Sequence, residues 1–162
     1  MNALAKPVSK LPDVGTTIFT VMSALASEQG ALNLSQGFPD FDGPESLLQA
    51  VNEHMRSGQN QYPPMAGVAA LREAIAEKVL DLHGLACDAD TEVTVTAGAT
   101  EALFCAIAAV VHAGDEVIVL DPAYDSYDPV IRLQGAVPVH VSLMAPAYRI
   151  DWDCIEAAIT AN

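Results

Sequence analysis

The sequence is poor in basic residues. Seven Lys and Arg stand against 21 Asp and Glu, which gives a formal net charge of −14 at pH 7 over 162 residues. The few cations are scattered, so no basic stripe is available to neutralise the phosphates of a nucleic acid. An anionic membrane surface would repel the chain for the same reason. We therefore expect neither a nucleic-acid partner nor a membrane partner.

Cysteine is also scarce, and neither cysteine nor histidine forms a recognisable motif. Cys87, Cys105 and Cys154 are far apart without a C-x-x-C pair, and the four histidines never approach metal-ligand spacing. The longest nearly continuous apolar run, from Ala102 to Val111, is too short to span a bilayer, and the first residues lack the apolar region of a secretory signal. These absences predict a cytoplasmic protein with reduced thiols and no metal site.

Apolar residues, in contrast, are abundant. They make up 51% of the chain, and the mean hydropathy is +0.27. A disordered chain would have few aliphatic residues, so a folded domain is expected. Two explanations of the excess stay open: alanine-rich helices, or apolar surfaces that further sequence or a partner chain normally covers.

The pattern of apolar residues changes near residue 92. Before it, helical spacing predicts three helices, and a short run at 31–35 is a possible strand. After it, β-branched runs alternate with helical segments, which is typical of a parallel sheet with right-handed crossovers. The predicted helices are 16–30, 45–57, 68–82, 101–112 and 126–133, with a last one starting at an Asp151 cap, and the predicted strands are 92–96, 117–120 and 137–141. Three strands make an incomplete sheet.

Ligands of an open parallel sheet bind beyond the carboxyl ends of its strands. Gly98-Ala99-Thr100 follows the first predicted strand and begins a helix, where backbone N–H groups favour an anion such as phosphate. Tyr124 follows the second strand and is placed to stack on a flat heteroaromatic ligand. A tight turn capped by Thr100 and a half-buried loop tyrosine are the structural alternatives. No dinucleotide, Walker or nucleophile-elbow motif is present.

Four segments, in order and in register, resemble the class I/II aminotransferases of the type I pyridoxal-phosphate fold. They are Leu34–Phe41, Asn60–Gly67, Thr96–Leu103 and Asp121–Tyr127. The resemblance covers nearly the whole chain and is strongest to the kynurenine, glutamine and methionine aminotransferases. It implies an α/β fold that is truncated here: an N-terminal arm and small-domain segment over residues 1–45, then the first strands of the mainly parallel sheet of a large cofactor-binding domain over 46–162.

The resemblance also implies a role for individual residues. The backbone of Gly98, Ala99 and Thr100 would hold the phosphate of pyridoxal 5'-phosphate, and the ring of Tyr124 would stack on its pyridine. Tyr62 would reach the cofactor phosphate of the neighbouring subunit, so that the active site belongs to a homodimer of the full-length protein.

Substrate contacts are implied at three further positions. The Gly37 backbone N–H would meet the carboxylate of the amino-acid substrate, and Ile18 and Phe19 would lie near its side-chain pocket. As residues of an amphipathic helix, Ile18 and Phe19 are equally explained as core positions. The partners implied are an amino acid and a 2-oxo acid.

The Schiff-base lysine of the family is not matched in this chain. The lysines here are Lys6, Lys10 and Lys78, and none lies in a cofactor loop. We therefore expect no catalytic residue in the chain and no activity from it alone. The function predicted for the parent protein is transfer of the amino group of methionine, glutamine or an aromatic, kynurenine-like amino acid to a 2-oxo acid. A C–S β-lyase of the same fold and a non-catalytic truncated module are the alternatives.

Overall fold

A computed structural model describes residues 7–37 and 39–161 of the chain. The described residues form six α-helices and two β-strands. In chain order these are α1 (Ile18–Glu28), α2 (Glu45–Arg56), α3 (Ala69–His83), α4 (Ala99–Val110), β1 (Glu116–Asp121), α5 (Tyr127–Leu133), β2 (Val137–Ser142) and α6 (Trp152–Ala158). None of these helices is long and apolar enough to cross a membrane.

Contacts divide the chain into two compact units. The first combines the described parts of Met1–Val21 and Ala97–Asn162, and the second is Met22–Thr96. The two units are defined by contacts within this chain alone, and they do not test the boundary at residue 45 between a small-domain segment and a large domain. That boundary stays a prediction.

The first unit is built on a parallel pair of strands. β1 and β2 pair in register from Glu116 opposite Val137 to Asp121 opposite Ser142, and α5 forms the crossover between them. Its buried centre is small: Val119 from β1 packs with Ile131 of α5 and with Ala136, and Ile131 is only 1% exposed. The alternation along a strand therefore places every second residue of β1 against α5.

The predicted helices are confirmed, with ends that differ by a few residues. α3 ends as its sequence indicates, because Gly84 takes a left-handed conformation (φ 67°) and its N–H donates to the carbonyl of Leu80 at 2.8 Å. α6 begins at the expected cap, where an Asp151 carboxylate oxygen accepts from the N–H groups of Asp153 (3.1 Å) and Cys154 (3.2 Å). These bonds lower the pKa of Asp151, with that from Cys154 the largest cause.

Two predicted strands are wrong. Residues 31–35 and 92–96 form no strand among the described residues, so the sheet there has two strands instead of three. A β-branched run becomes a strand only when another strand pairs with it, and in the second unit Val95 bonds instead to a turn, donating its N–H to the carbonyl of Ala66 at 3.0 Å.

Large apolar side chains are exposed on most helices. Ile18 is 60% exposed, Leu47 58%, Leu82 65% and Trp152 70%. Alanine-rich helices alone would not leave such side chains in solvent. The pattern favours the second explanation of the composition, namely apolar surfaces that other parts of an assembly cover.

At the buried Gly67, a turn of the second unit packs closely against Val95. Gly67 has φ +99°, and a Cβ atom on it would lie 2.6 Å from Cγ2 of Val95. The guanidinium of Arg72, on α3, donates to the carbonyl of Gly67 (3.2 Å), to the carbonyl of Ala89 and to the carboxylate of Asp90 (2.9 Å). It therefore connects the turn at Gly67 with the turn at Ala89 and Asp90. Glycine is required at residue 67 for both its backbone angle and its lack of a side chain.

Replacing this glycine should destabilise the second unit. In the complete protein we expect Gly67→Ala to cost about 2 kcal/mol, because the new methyl overlaps Val95. Hydrogen exchange of the Val95 amide measures the effect. Gly58→Ala is the matched control, since Gly58 also has a positive φ (+86°) but nothing lies within 4 Å of its Cβ position. Equal exchange in the two variants would contradict the steric explanation.

Candidate functional site

The turn that precedes α4 has the geometry of an anion-binding helix start. Gly98 is the residue before the first helical turn, at φ 90° and ψ 170°, a conformation that favours glycine. A Cβ atom there would meet nothing within 4 Å, so the space beside the turn is open. The first N–H groups of an α-helix, here from Ala99 onward, have no carbonyl partner within the helix, and they point along the positive end of its dipole.

One carboxylate lies in this turn, and it is bound to the backbone. Oε2 of Glu101 accepts from the N–H of Ala97 at 2.5 Å. The bond closes the turn around Gly98 and directs the negative charge of Glu101 to a backbone donor. The sequence reasoning missed this contact, although an acid in the first turn of a helix is its usual signal.

Tyr124 lies beside the same turn. Its hydroxyl is 3.4 Å from Oγ1 of Thr100, and its side chain is 42% exposed. Tyr127 packs edge-on against the Tyr124 ring, with centroids 6.0 Å apart and planes at 78°. The two features singled out in the sequence, the Gly98–Thr100 turn and Tyr124, therefore adjoin in the first unit, although only Tyr124 follows a strand.

The loop that carries Tyr124 is held by an imidazole that the sequence did not indicate. Nδ1 of His140 is 2.9 Å from an Asp121 oxygen, and its Nε2 is 3.3 Å from an Asp128 oxygen. The hydrogen bond to Asp121 is the main cause that raises the pKa of His140 above its ordinary value, and partial burial opposes it. The sequence offered one signal, a histidine inside the apolar run 137–141.

The guanidinium of Arg132 continues these contacts toward the N-terminal segment. Its Nη1 lies 3.3 Å from Asp128, and its Nη2 lies 2.7 Å from Asp13. The hydrogen bond from Arg132 is the main cause that lowers the pKa of Asp13. The segment before α1 is thereby fixed to α5.

Two predicted site residues, Tyr62 and Gly37, belong to the second unit. Tyr62 is 99% exposed in its proline-rich loop. Gly37 is exposed as well, and the neighbouring Phe38 lies outside the described residues. The Gly98–Thr100 turn and Tyr124 belong to the first unit, so the roles of Tyr62 and Gly37 stay predictions.

A polar network supports the segment that leads to Gly37. Ser23 of α1 donates to the Gln36 side chain at 3.0 Å and accepts from the Asn33 amide at 3.1 Å. The Asn33 side-chain oxygen in turn accepts from the N–H and the hydroxyl of Ser35 at 3.0 and 2.6 Å. An Asn two residues before a Ser is a common turn signal, but the partner on α1 has no local signature.

Ile18 and Phe19 lie in the first turn of α1, within the first unit. Ile18 is 60% exposed and Phe19 is half-buried. Neither side chain is fully buried among the described residues, and both interpretations, as pocket residues and as core positions, stay predictions.

Lys6 lies outside the described residues, Lys10 is in the exposed segment before α1, and Lys78 is on α3 in the second unit. Among the residues described, no cluster of three or more His, Cys, Asp or Glu could hold a metal ion.

Comparison with known proteins gives one consistent family. The family model described as aminotransferase class I and II matches residues 29–162. The chain is 56% identical over 154 residues to the methionine aminotransferase of Escherichia coli, a match that covers 95% of this chain and 40% of that protein. It is 46% identical over 155 residues to the probable N-succinyldiaminopimelate aminotransferase of Mycobacterium tuberculosis, covering 94% of this chain and 39% of that protein.

Solved structures agree with the sequence matches. The crystal structure of the Escherichia coli protein identified as a methionine aminotransferase superposes with a TM-score of 0.91 at 55% identity, covering 97% of this chain and 41% of that one. The N-succinyldiaminopimelate aminotransferase of Mycobacterium tuberculosis gives a TM-score of 0.87 at 46% identity, covering 96% and 41%. The resemblance and the fold class inferred from the sequence are confirmed, and the chain spans about 40% of the length of the curated relatives it matches.

The network behind Gly37 can be tested by removing its central hydroxyl. We expect Ser23→Ala to raise hydrogen exchange over residues 33–37 of the complete protein about fivefold, because Asn33 and Gln36 lose their shared partner, at a cost of about 1 kcal/mol. Ser27→Ala is the control, since Ser27 is on the same helix and outside the network. Equal exchange in the two variants would show that the network does not hold the segment.

Proposed function

Because the chain belongs to the class I and II aminotransferase family, we propose that it carries the cofactor-binding turn of a pyridoxal-phosphate-dependent aminotransferase. The observation that carries the proposal is the contact between Thr100 and Tyr124, which puts an anion-binding helix start beside an accessible aromatic ring. A ligand with both a phosphate and a flat ring fits that pair. Either feature alone would also fit simpler ligands.

The first unit offers backbone donors at the start of α4 and open space beside Gly98 for the phosphate of pyridoxal 5'-phosphate. The N–H groups at Ala99 and Thr100 and the Thr100 hydroxyl would hold the phosphate, with Gly98 leaving open space for its oxygens. The ring of Tyr124 would cover one face of the pyridine. When bound, the cofactor supplies an electron sink for the carbanion formed at Cα of the amino acid.

The remaining roles are proposed from the resemblance. Gly37 would donate its backbone N–H to the substrate carboxylate, with Ile18 and Phe19 beside the side-chain pocket. Tyr62, which is almost fully exposed, would reach the cofactor phosphate of a second subunit in a homodimer. Exposed apolar helix faces support such a partner surface. We further propose a cytoplasmic location.

The proposed reaction is amino-group transfer from an amino acid to a 2-oxo acid. The similarity to the Escherichia coli methionine aminotransferase favours methionine as the amino donor, with glutamine and kynurenine-like amino acids as further candidates. The lysine that anchors the cofactor and moves the Cα proton is proposed to lie outside this chain, because neither Lys10 nor Lys78 belongs to the turn or to the Tyr124 loop.

The activity is tested on the complete protein supplied with pyridoxal phosphate. Methionine, glutamine and kynurenine are each mixed with a 2-oxo acid, and the new 2-oxo acid and new amino acid are quantified together. We expect their stoichiometric formation, fastest with methionine. A parallel reaction contains a cysteine S-conjugate and the 2-oxo acid. Release of ammonia, a thiol and pyruvate from the conjugate, without a new amino acid, would instead indicate a C–S β-lyase.

The isolated chain gives a second test. After incubation with pyridoxal phosphate and borohydride, we expect no stoichiometric adduct on Lys6, Lys10 or Lys78 by mass spectrometry, and no transamination. A stable stoichiometric adduct on Lys78 would contradict the placement of the anchoring lysine outside the chain.

Tyr124 variants separate stacking from hydrogen bonding. In the complete protein we expect Tyr124→Ala to weaken cofactor binding about tenfold, because loss of a stacked ring removes roughly 1 kcal/mol beyond its buried area. Tyr124→Phe keeps the ring and loses only the long contact to Thr100, so its affinity should change less than about threefold. Spectrophotometric titration measures both. A Phe variant as weak as the Ala variant would overturn stacking as the role.

A further inference from the structure

His140 contacts both ends of the loop that carries Tyr124. The loop runs from Asp121, the last residue of β1, to Asp128, in the first turn of α5. The two imidazole nitrogens of His140 reach one carboxylate each, at 2.9 and 3.3 Å. One side chain on β2 therefore connects the two ends of residues 121–128.

Besides the 3.4 Å contact of Tyr124 with Thr100 and the 3.4 Å bond from the N–H of Val130 to the carbonyl of Ser126, further contacts hold the loop. Within it, the N–H of Tyr127 donates to the carbonyl of Tyr124 at 3.2 Å, and the two rings meet edge to face. The carbonyl of Asp121 accepts from the N–H of Leu143 at 2.7 Å, which fixes the start of the loop to the chain after β2. None of these bonds joins the start of the loop to its end, as the imidazole does.

The imidazole can donate a hydrogen bond to both carboxylates only when both of its nitrogens are protonated. An imidazolium donates from both nitrogens, whereas a neutral imidazole donates from one and presents a lone pair at the other. In the neutral form one of Asp121 and Asp128 would therefore face a lone pair. The two-ended contact depends on the charged form.

Several carboxylates and one guanidinium surround His140. β1 contributes Asp121, α5 contributes Asp128 and Arg132, and the segment before α1 contributes Asp13, which Arg132 binds at 2.7 Å. On the α6 side, Asp151 and Cys154 line a cavity of about 570 Å³ with His140. The groups that face the imidazole most closely are carboxylates, which favour its charged form.

We propose that His140 is a positioning residue for Tyr124: as an imidazolium it ties the two ends of the 121–128 loop together and holds the tyrosine ring beside the α4 turn. The inference rests on the proposed function for the identity of the ligand that the ring would meet. The tie between the loop ends is a property of the chain itself and can be measured without any ligand.

The tie should weaken as the pH rises. A raised pKa in the folded protein means that this stabilisation is fully present below the ordinary histidine pKa of 6.5 and is lost as the pH rises through the higher value of the folded state. The loop should accordingly be ordered below pH 6.5 and more mobile above the raised pKa of His140.

The first measurement uses the complete protein without cofactor. Hydrogen exchange of the 121–128 amides, corrected for the intrinsic effect of pH, is compared with the His140 pKa from NMR. We expect exchange to rise about fivefold through that pKa, the size of a lost contact of about 1 kcal/mol. In His140→Gln the loop should exchange at the fast rate at every pH, and Asp128→Asn, a milder change, should lie between the two.

His112 provides a matched control. It also faces an aspartate, with Nδ1 3.5 Å from Asp115, but it lies outside the Tyr124 loop. His112→Gln should leave exchange over residues 121–128 and its pH dependence as in the unmodified protein. Equal protection of the loop in His140→Gln and His112→Gln, at all pH values, would overturn the proposal.

The second measurement asks whether the tie matters to the ring. Titration with pyridoxal phosphate below the His140 pKa should show affinity reduced about fivefold in His140→Gln and unchanged in His112→Gln. A loop that becomes mobile in His140→Gln while the affinity stays the same would refute the positioning role. If the unmodified protein does not bind pyridoxal phosphate, the proposed function fails, and the exchange data still decide whether His140 ties the loop.

Discussion

The parallel pairing of β1 with β2 is the constraint on which the candidate site depends. Two strands can run parallel only if a connection crosses over between them, and here α5 and the 121–128 loop form that connection. The crossover covers one face of the pair and buries Ile131 against Val119. It also brings the end of β1, and with it Tyr124, to the edge of the sheet where the α4 turn lies.

The site then combines contacts of two kinds. Backbone geometry at Gly98 provides the helix start, and Glu101 closes the turn from within. Side chains provide the rest: Thr100 and Tyr124 meet at 3.4 Å, and His140 holds the loop ends from the neighbouring strand. The first kind is specified by a few adjacent residues, whereas the second requires the tertiary fold.

This difference explains how much could be predicted from the sequence. Helix ends such as Gly84 and the Asp151 cap are local, and they were predicted correctly because the residues that form them are adjacent. The Gly98–Thr100 turn and Tyr124 adjoin as expected. The expected reason, that both follow strands ending on the same edge of a parallel sheet, holds for Tyr124 but not for the turn, which follows no strand. The predicted strand at 92–96 was wrong because strand formation needs a pairing partner. His140, Ser23 and the contact of Arg132 with Asp13 were missed because the partners lie far apart in the chain, from 10 residues between Ser23 and Asn33 to 119 between Arg132 and Asp13.

Glu101 is one of the acidic residues that give the chain its net charge of −14, and its carboxylate is bound to the N–H of Ala97 in the α4 turn. An approaching anion is repelled by the net negative charge of the chain and attracted by the N–H groups of the α4 turn, which act over a few ångströms. Mobile ions screen forces beyond about 10 Å at 0.1 M ionic strength, so they reduce the repulsion more than the attraction. Moderate ionic strength should therefore speed the capture of an anionic ligand, the reverse of the behaviour of a basic phosphate-binding surface.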